Sequence, residues 1–436
     1  MTLAAVRLWG RRIGAVRWDA RRELGEFEYE PEFVESEIQI SPLVLPLRRG
    51  VHSFPELPRS SYHGLPGLLA DVLPDRFGNA LIDAWLAGRG RTPDSFDPVE
   101  RLCYTGRRGM GALEFEPQIG EFAEGTRTVD VRALSELAGE VLRDRASFEA
   151  RFSSFEDGGD ESLALRSILR VGTSAGGARA KAVIAWNPAT GEVRSGQVEG
   201  RSDLEPWLIK FDGISNNRDR ELESDRPGYG RIEFAYSQMA RAAGIEMTEC
   251  RLLEEGGRAH FVTRRFDRTA TGGKLHLQSL CALGHYDFNL PGGTSYEQLF
   301  DVIRRLELGR ATEEEQFRRT AFNVLARNQD DHTKNTAFLM DRAGRWALSP
   351  AFDLTYAHNP QGAWTARHQM SLLGKRDGFV REDFRALGRY LSFKRGRADD
   401  LLDQVAQSLA AWPEHAGGAG VDESVAEAIA RGHRSL

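Results

Sequence analysis

The octet NQDDHTKN, Asn328 to Asn335, is the most polar stretch of the chain and is flanked by apolar ones, AFNVLA before it and AFLM after it. It holds two carboxylates, a histidine, a lysine and two asparagines. A solvated turn between a helix and a strand is one reading, since Asn and Asp side chains bond the local backbone in such turns. The other reading is chemical and depends on spacing. Asp330 precedes Asn335 by five positions.

That offset is the one found in the catalytic loop of protein kinases, H-R-D-x-x-x-x-N. There the Asp accepts the proton of the attacking hydroxyl and the Asn holds Mg²⁺. Because D-x-x-x-x-N also arises by chance, the chemical reading needs partners elsewhere in the chain.

Composition bounds the search. At 436 residues the chain exceeds a single core of ordinary size, so two or three domains or lobes are expected. With 58 basic and 64 acidic residues, the net charge of −6 offers no overall basic field for nucleic acid or an acidic membrane. Cys103, Cys250 and Cys281 are odd in number and form no C-x-x-C pair, which suits a reducing compartment without a disulfide framework. Arg7, Arg11 and Arg12 interrupt the opening MTLAAVRLWGRRIG, and no apolar run is long enough to span a bilayer. A cytoplasmic protein without membrane association is expected.

The pattern along the chain gives an α+β sequence of elements. Residues 3–40 alternate, with LAAVRLWGRRIGAVRWD reading as a β-hairpin with Gly10 near its turn, and 63–90 read as two helices. GRRGMGALEFEP (106–117) is a Gly-rich turn entering a strand, and VDVRALSELAGEVLRD (129–144) is an amphipathic helix. FEDGGDES (155–162) reads as an exposed connection. A strand-rich stretch follows over LRVGTSAGGARAKAVIAW, a turn at Asn187–Gly191 and EPWLIKFDG, then a helix over 229–245 and a hairpin turning at Gly256-Gly257. From about 276 onward helices dominate, at 295–306, 312–327, 382–391 and 397–412.

Each partner that phosphoryl transfer requires has a candidate, in kinase order. VGTSAGGARAK (171–181) has three glycines, and backbone N–H groups of such a loop can approach phosphate oxygens because no Cβ intervenes. Ala178-Arg179 stands where a Walker A loop demands Lys-Ser/Thr, and G-x-G-x-x-G is absent too; a plain β-turn is the alternative. Lys210 ends the apolar run WLIK as the V-A-I-K lysine does. Glu233 on the 229–245 helix is its candidate partner, with Glu221 and Glu223 as competitors. Asp353 in SPAFDL is flanked by Phe352 and Leu354, a costly place for a carboxylate unless it meets a cation. In VTRRFDR (262–268) the backbone of Arg264, Arg265 and Phe266 could read the adenine edge. Asp267 could meet the ribose hydroxyls, or pair with Arg265 or Arg268.

Together these elements resemble the HipA-type serine/threonine kinases, the toxin components of bacterial toxin–antitoxin pairs. The resemblance rests on D-x-H-x-K-N at Asp330-Asp331-His332-Thr333-Lys334-Asn335, RFDR at 265–268, GGARAK at 176–181 and the F-D element at Asp353. LHLQSLCALG (275–284) and GRRGMGALEFEP extend it over nearly the whole chain. It implies an α+β, protein-kinase-like two-lobed fold: a β-rich N-terminal half with an extra small subdomain (1–120), a Gly-loop region (121–264) and an all-α C-terminal half (265–436). By the same resemblance Asp330 would be the catalytic base, with His332 bracing the loop and Lys334 within it. Asn335 and Asp353 would bind Mg²⁺. ATP would meet Lys210, Gly176, Gly177, Ala178, Arg264, Arg265, Phe266 and Asp267. Ser174 aligns with the family's autophosphorylated serine, although Thr173 stands beside it. The implied partners are an antitoxin with a helix-turn-helix domain, DNA only through that antitoxin, and a protein substrate such as an aminoacyl-tRNA synthetase. A small-molecule phosphotransferase and a non-catalytic co-repressor are the alternatives.

Overall fold

The computed structural model describes residues 2–87, 89–120, 130–143, 179–196, 201–215, 227–269 and 271–436. The chain divides into two units. One comprises Met1–Asn216, Glu254–Gln278 and Leu339–Arg345; the other comprises Asn217–Leu253, Ser279–Phe338 and Trp346–Leu436.

The first unit begins with the expected hairpin, β1 (Leu3–Leu8) and β2 (Arg11–Asp19). Trp9 and Gly10 turn it with φ of 51° and 82°. Two successive positive φ values match the right-handed twist of the flanking strands, which is why a glycine stands there. β3 (Leu24–Tyr29), β4 (Val51–His52) and β5 (Leu113–Glu116) complete a sheet ordered β4-β3-β2-β1-β5. Helices α1 (Arg76–Ala87) and α2 (Pro98–Thr105) follow, and α2 packs on β1, β2 and β5. DPVE at 97–100 starts α2 with a reciprocal cap, in which Asp97 accepts from the Glu100 N–H and Glu100 from the Asp97 N–H.

A second sheet, ordered β7-β6-β8-β10-β9, is built from β6 (Arg179–Trp186), β7 (Val193–Ser195), β8 (Glu205–Ser215), β9 (Cys250–Glu255) and β10 (Arg258–Arg264). Every β6 residue from Ala180 to Trp186 is buried. Both faces of the strand are therefore covered, which an apolar run without alternation signals. Helices α1 and α3 (Val131–Arg143) supply cover on β6.

The second unit is mainly helical: α4 (Tyr229–Ala242), α5 (Tyr296–Arg305), α6 (Gly309–Leu325), α7 (Arg381–Tyr390), α8 (Arg397–Ala410), α9 (Trp412–Gly418) and α10 (Glu423–Gly432). α6 packs against α5 and α8, and α4 against α8 and α9. The part of the chain expected to be all helix also carries a three-stranded sheet, β11 (His276–Ser279), β12 (Ala337–Met340) and β13 (Trp346–Leu348). All four β12 residues, AFLM, are buried. A four-residue apolar run carries no period that separates strand from helix, so its pairing was not readable.

Candidate active site

The octet starts where α6 stops. Arg327 takes a left-handed φ of 56°, and the Asn328 N–H reaches back to the Asn323 carbonyl at 3.0 Å. This is a Schellman ending, which turns the chain sharply off the helix axis. Thr333–Asn335 then form a single 3₁₀ turn before β12.

The two adjacent carboxylates have different fates. Asp331 is buried and fully engaged: it accepts from the Tyr296 hydroxyl at 2.6 Å, from His368 Nδ1 at 2.9 Å and from the Gln369 N–H at 2.7 Å. Burial opposes its ionisation, but the donors converging on it outweigh that and hold its pKa below the usual carboxylate value. Asp331 therefore ties the octet to α5 and to the segment around His368.

The Asp330 side chain remains 38% exposed. Its Oδ1 accepts from the Trp364 indole N–H at 2.5 Å, and His332 Nε2 lies 3.8 Å from the same oxygen. Asn335 Nδ2 donates to the Asp330 backbone carbonyl at 2.8 Å, which closes the five-residue interval into one compact turn. That bond uses the amide nitrogen of Asn335 and leaves its oxygen as a hard donor suited to a divalent cation. His332 is wedged edge-on between the Phe288 and Trp364 rings, and the Lys334 ammonium lies 4.5 Å from the Phe288 centroid. Asp353 has a left-handed φ of 56°, an uncommon conformation for a non-glycine residue and one that clusters at functional positions.

In the first unit, Lys181 on β6 and Lys210 on β8 are direct cross-strand partners, so both side chains stand on one face. Lys210 also approaches the Phe261 ring, 5.7 Å to its centroid. Lys181 is buried, 3.6 Å from Asp75 Oδ2. Asp75 Oδ1 caps the start of α1 through the Gly78 N–H at 2.8 Å. Two like charges opposite one another are destabilising unless anions accompany them. Lys181 was not singled out from the sequence; its direct pairing with Lys210 is the signal that marks it.

The RFDR element needs a correction. Asp267 is fully buried and accepts from Arg265 Nε at 2.9 Å and Nη2 at 2.7 Å, from Arg268 Nη1 at 2.7 Å and from the Gly111 N–H at 2.6 Å. Burial opposes its charge, yet the two guanidiniums hold its pKa well below the usual range. Saturated in this way, Asp267 cannot meet ribose hydroxyls, and the side chain of Arg265 cannot reach a nucleotide. Of the two readings left open, pairing with both Arg265 and Arg268 holds. Arg265 Nη2 also donates to the Gly109 carbonyl at 3.2 Å, so RFDR locks onto the GRRGMG turn. At Gly111, φ is 78° and an added Cβ would lie 3.1 Å from the Leu277 nitrogen, which explains that glycine. Arg264 is half exposed and pairs with Glu205 at 3.3 Å, while Phe266 is half-buried. Glu233 is buried on α4, in the second unit. Thr173, Ser174, Gly176, Gly177, Ala178, Glu221 and Glu223 lie outside the described residues.

Comparison with known families completes the picture. Residues 173–412 match the family model of the HipA-like C-terminal domain, and residues 4–116 match that of the HipA N-terminal domain. The chain belongs to the HipA family. A search of curated protein sequences finds no match. Among solved structures, the chain is similar to HipA of Shewanella oneidensis MR-1, determined as a toxin–antitoxin complex with HipB and operator DNA. The identity is 16%, with 98% of this chain and 94% of that chain covered and a TM-score of 0.68. A proinflammatory kinase of Helicobacter pylori, CtkA, matches at 13% identity over 47% of this chain and 87% of that one, with a TM-score of 0.28, too slight to bear on the fold. The α+β architecture expected from the sequence is that of the HipA fold, with a three-stranded sheet added to the half expected to be all helix.

Proposed function

We propose that this HipA-family chain is an ATP- and Mg²⁺-dependent serine/threonine protein kinase that acts as a growth-arresting toxin. The observation that carries this reading is the division of labour in the octet. Asp331 is buried and anchored, so its neighbour Asp330 presents a partly exposed carboxylate from a rigid turn. A general base needs that combination of access and fixed aim.

In this mechanism the Asp330 carboxylate accepts the proton of a Ser or Thr hydroxyl as the hydroxyl oxygen attacks the γ-phosphorus of ATP. The bond to the β-phosphate oxygen breaks and ADP leaves. Trp364 holds Oδ1, which fixes the orientation of the carboxylate. Lys210, with Lys181 beside it, would bind the nucleotide phosphates. The backbone of Arg264 to Phe266 would meet the adenine. When bound, Mg²⁺ neutralises phosphate charge, and the oxygens of Asn335 and Asp353 suit it as hard donors. Positioning and charge neutralisation supply most of the acceleration in such transfers.

The regulatory partner we propose is a helix-turn-helix antitoxin, through which the protein would approach DNA indirectly; the Shewanella HipA–HipB–operator complex supports this. The substrate would be a cytoplasmic protein, with aminoacyl-tRNA synthetases the first class to test. Autophosphorylation at Ser174 would add roughly −1.5 to −2 charge beside the nucleotide phosphates and switch activity off. Among the described residues, no helix is long and apolar enough to cross a membrane.

The test is incubation of purified chain with γ-labelled ATP, Mg²⁺ and cell lysate. Wild type should label protein Ser or Thr, including its own Ser174. Asp330→Ala should label nothing while binding ATP within about tenfold of wild type. Label confined to a metabolite would instead establish a small-molecule phosphotransferase. Absence of ATP turnover by wild type would establish a binding protein.

A further inference from the structure

The residues after α10 run to the back of the octet. The last-turn carbonyls of α6 are among those a helix leaves without internal partners. The tail and α4 satisfy three successive ones. Arg434 Nη1 donates to the Val324 carbonyl at 3.1 Å, the Arg434 N–H to Leu325 at 2.8 Å, and the Tyr236 hydroxyl to Ala326 at 2.8 Å. His433 Nε2 meets that hydroxyl at 3.0 Å, and Arg327 Nε donates to the Gly432 carbonyl at 2.8 Å. The tail is thus built into the cap of the helix that delivers the octet.

Arg434 also reaches further. Its Nη1 lies 2.9 Å from His368 Nε2, and its Nη2 is held by Asp377. A guanidinium has only donors, so His368 Nε2 must accept. The ring is then neutral, with its one hydrogen on Nδ1, aimed at Asp331 Oδ2 2.9 Å away. Both His368 and Asp331 are shut off from solvent. Water therefore cannot replace a lost partner in this chain.

We propose that Arg434 is a positioning residue for phosphoryl transfer. By fixing the tautomer of His368 it holds Asp331, and through Asp331 the aim of Asp330. This inference rests on the proposed kinase reading for its catalytic consequence, but not for its geometry.

The test uses the full-length chain with Arg434→Met, which keeps the apolar stem, and His368→Ala, alone and combined. Arg434→Met should lower kcat by about ten- to a hundredfold, the scale of a small misplacement, with KM for ATP within about twofold. Because Arg434 acts through His368, the double variant should lose no more than His368→Ala alone. His368→Asn, whose side-chain amide stands where Nδ1 does, should recover activity over His368→Ala. Amide exchange over 328–336 should quicken in Arg434→Met while that of α8 is unchanged, which separates local release from unfolding. Wild-type kcat and unchanged exchange over 328–336 in Arg434→Met would overturn the proposal. If wild type itself transfers no phosphate, the kinase reading fails, and the exchange measurement still decides the positioning role.

Discussion

Replacing Asp267 by Asn separates the two roles that its motif allows. The carboxylate carries four hydrogen bonds, three of them from guanidinium groups whose side chains are 1% and 9% exposed. Asparagine matches its shape and retains one acceptor oxygen. Its amide group, however, then faces Arg265 or the Gly111 N–H, donor against donor, and both guanidiniums lose their counter-charge. Breaking a buried ion pair from one side costs about 3–5 kcal/mol. That is a large part of the roughly 5–15 kcal/mol that holds a domain together. Urea unfolding followed by tryptophan fluorescence, below room temperature, should show this loss. The exposed neighbour Arg264→Ala, which breaks only its pair with Glu205, should cost under about 1 kcal/mol. Since Asp267 is ionised more readily folded than unfolded, its contribution is present above about pH 4 and fades as pH falls through the depressed native value. A ribose-binding carboxylate would behave otherwise: Asp267→Asn would raise KM for ATP and leave stability within about 1 kcal/mol. That result would refute the lock.

Two further outcomes follow from buried charge. Burial lowers the pKa of His260 and of His276 to about 4, so each ring is neutral in the folded chain where the unfolded chain takes up a proton near pH 6.5. Stability should fall as pH drops from about 6.5 to 4, by about 1.4 kcal/mol per pH unit for each ring, and a urea midpoint unchanged over that window would contradict it. Lys181→Met should destabilise the first unit by about 1–3 kcal/mol because Asp75 is left buried without its cation, and adding Asp75→Asn should restore at least half of that; additive losses in the double variant would show that the two side chains do not act as a pair.

Much of the architecture was legible because its signals are local. The hairpin at 3–19, the helix that begins at Tyr229 and the helices after 295 follow from period, caps and turn glycines, each carried by a few neighbouring residues. The β11-β12-β13 sheet was not legible, since its strands are three or four residues long and too short to show a period. The pairing of Lys181 with Lys210 was hidden for another reason. Cross-strand register depends on where β6 meets β8, and a register shift between Arg179 and Lys181 breaks any count made from the loop. Trp364 and His368 reach the octet from 34 and 38 positions beyond Asp330, and Arg434 reaches His368 from 104 positions beyond it, where no spacing rule applies.

The octet shows how far a motif can go alone. D-x-x-x-x-N selects Asp330 over Asp331 by offset, but an offset carries no reason why the second carboxylate is there. The physical reason lies in the burial of the turn. A loop that must present one carboxylate with a fixed aim cannot be held by its own backbone, because its amides and carbonyls face in many directions. An ionised anchor one residue away solves this, provided that donors converge on it where water is excluded. Asp331 has those donors in Tyr296 on α5, in His368 and in the Gln369 N–H. Asparagine at 331 could accept no more than two of these bonds through its one oxygen, and it would set its amide against the third donor. The polarity of the octet thus has two sources: in the proposed kinase reading Asp330 and Asn335 serve the chemistry, whereas Asp331 anchors the turn that carries them.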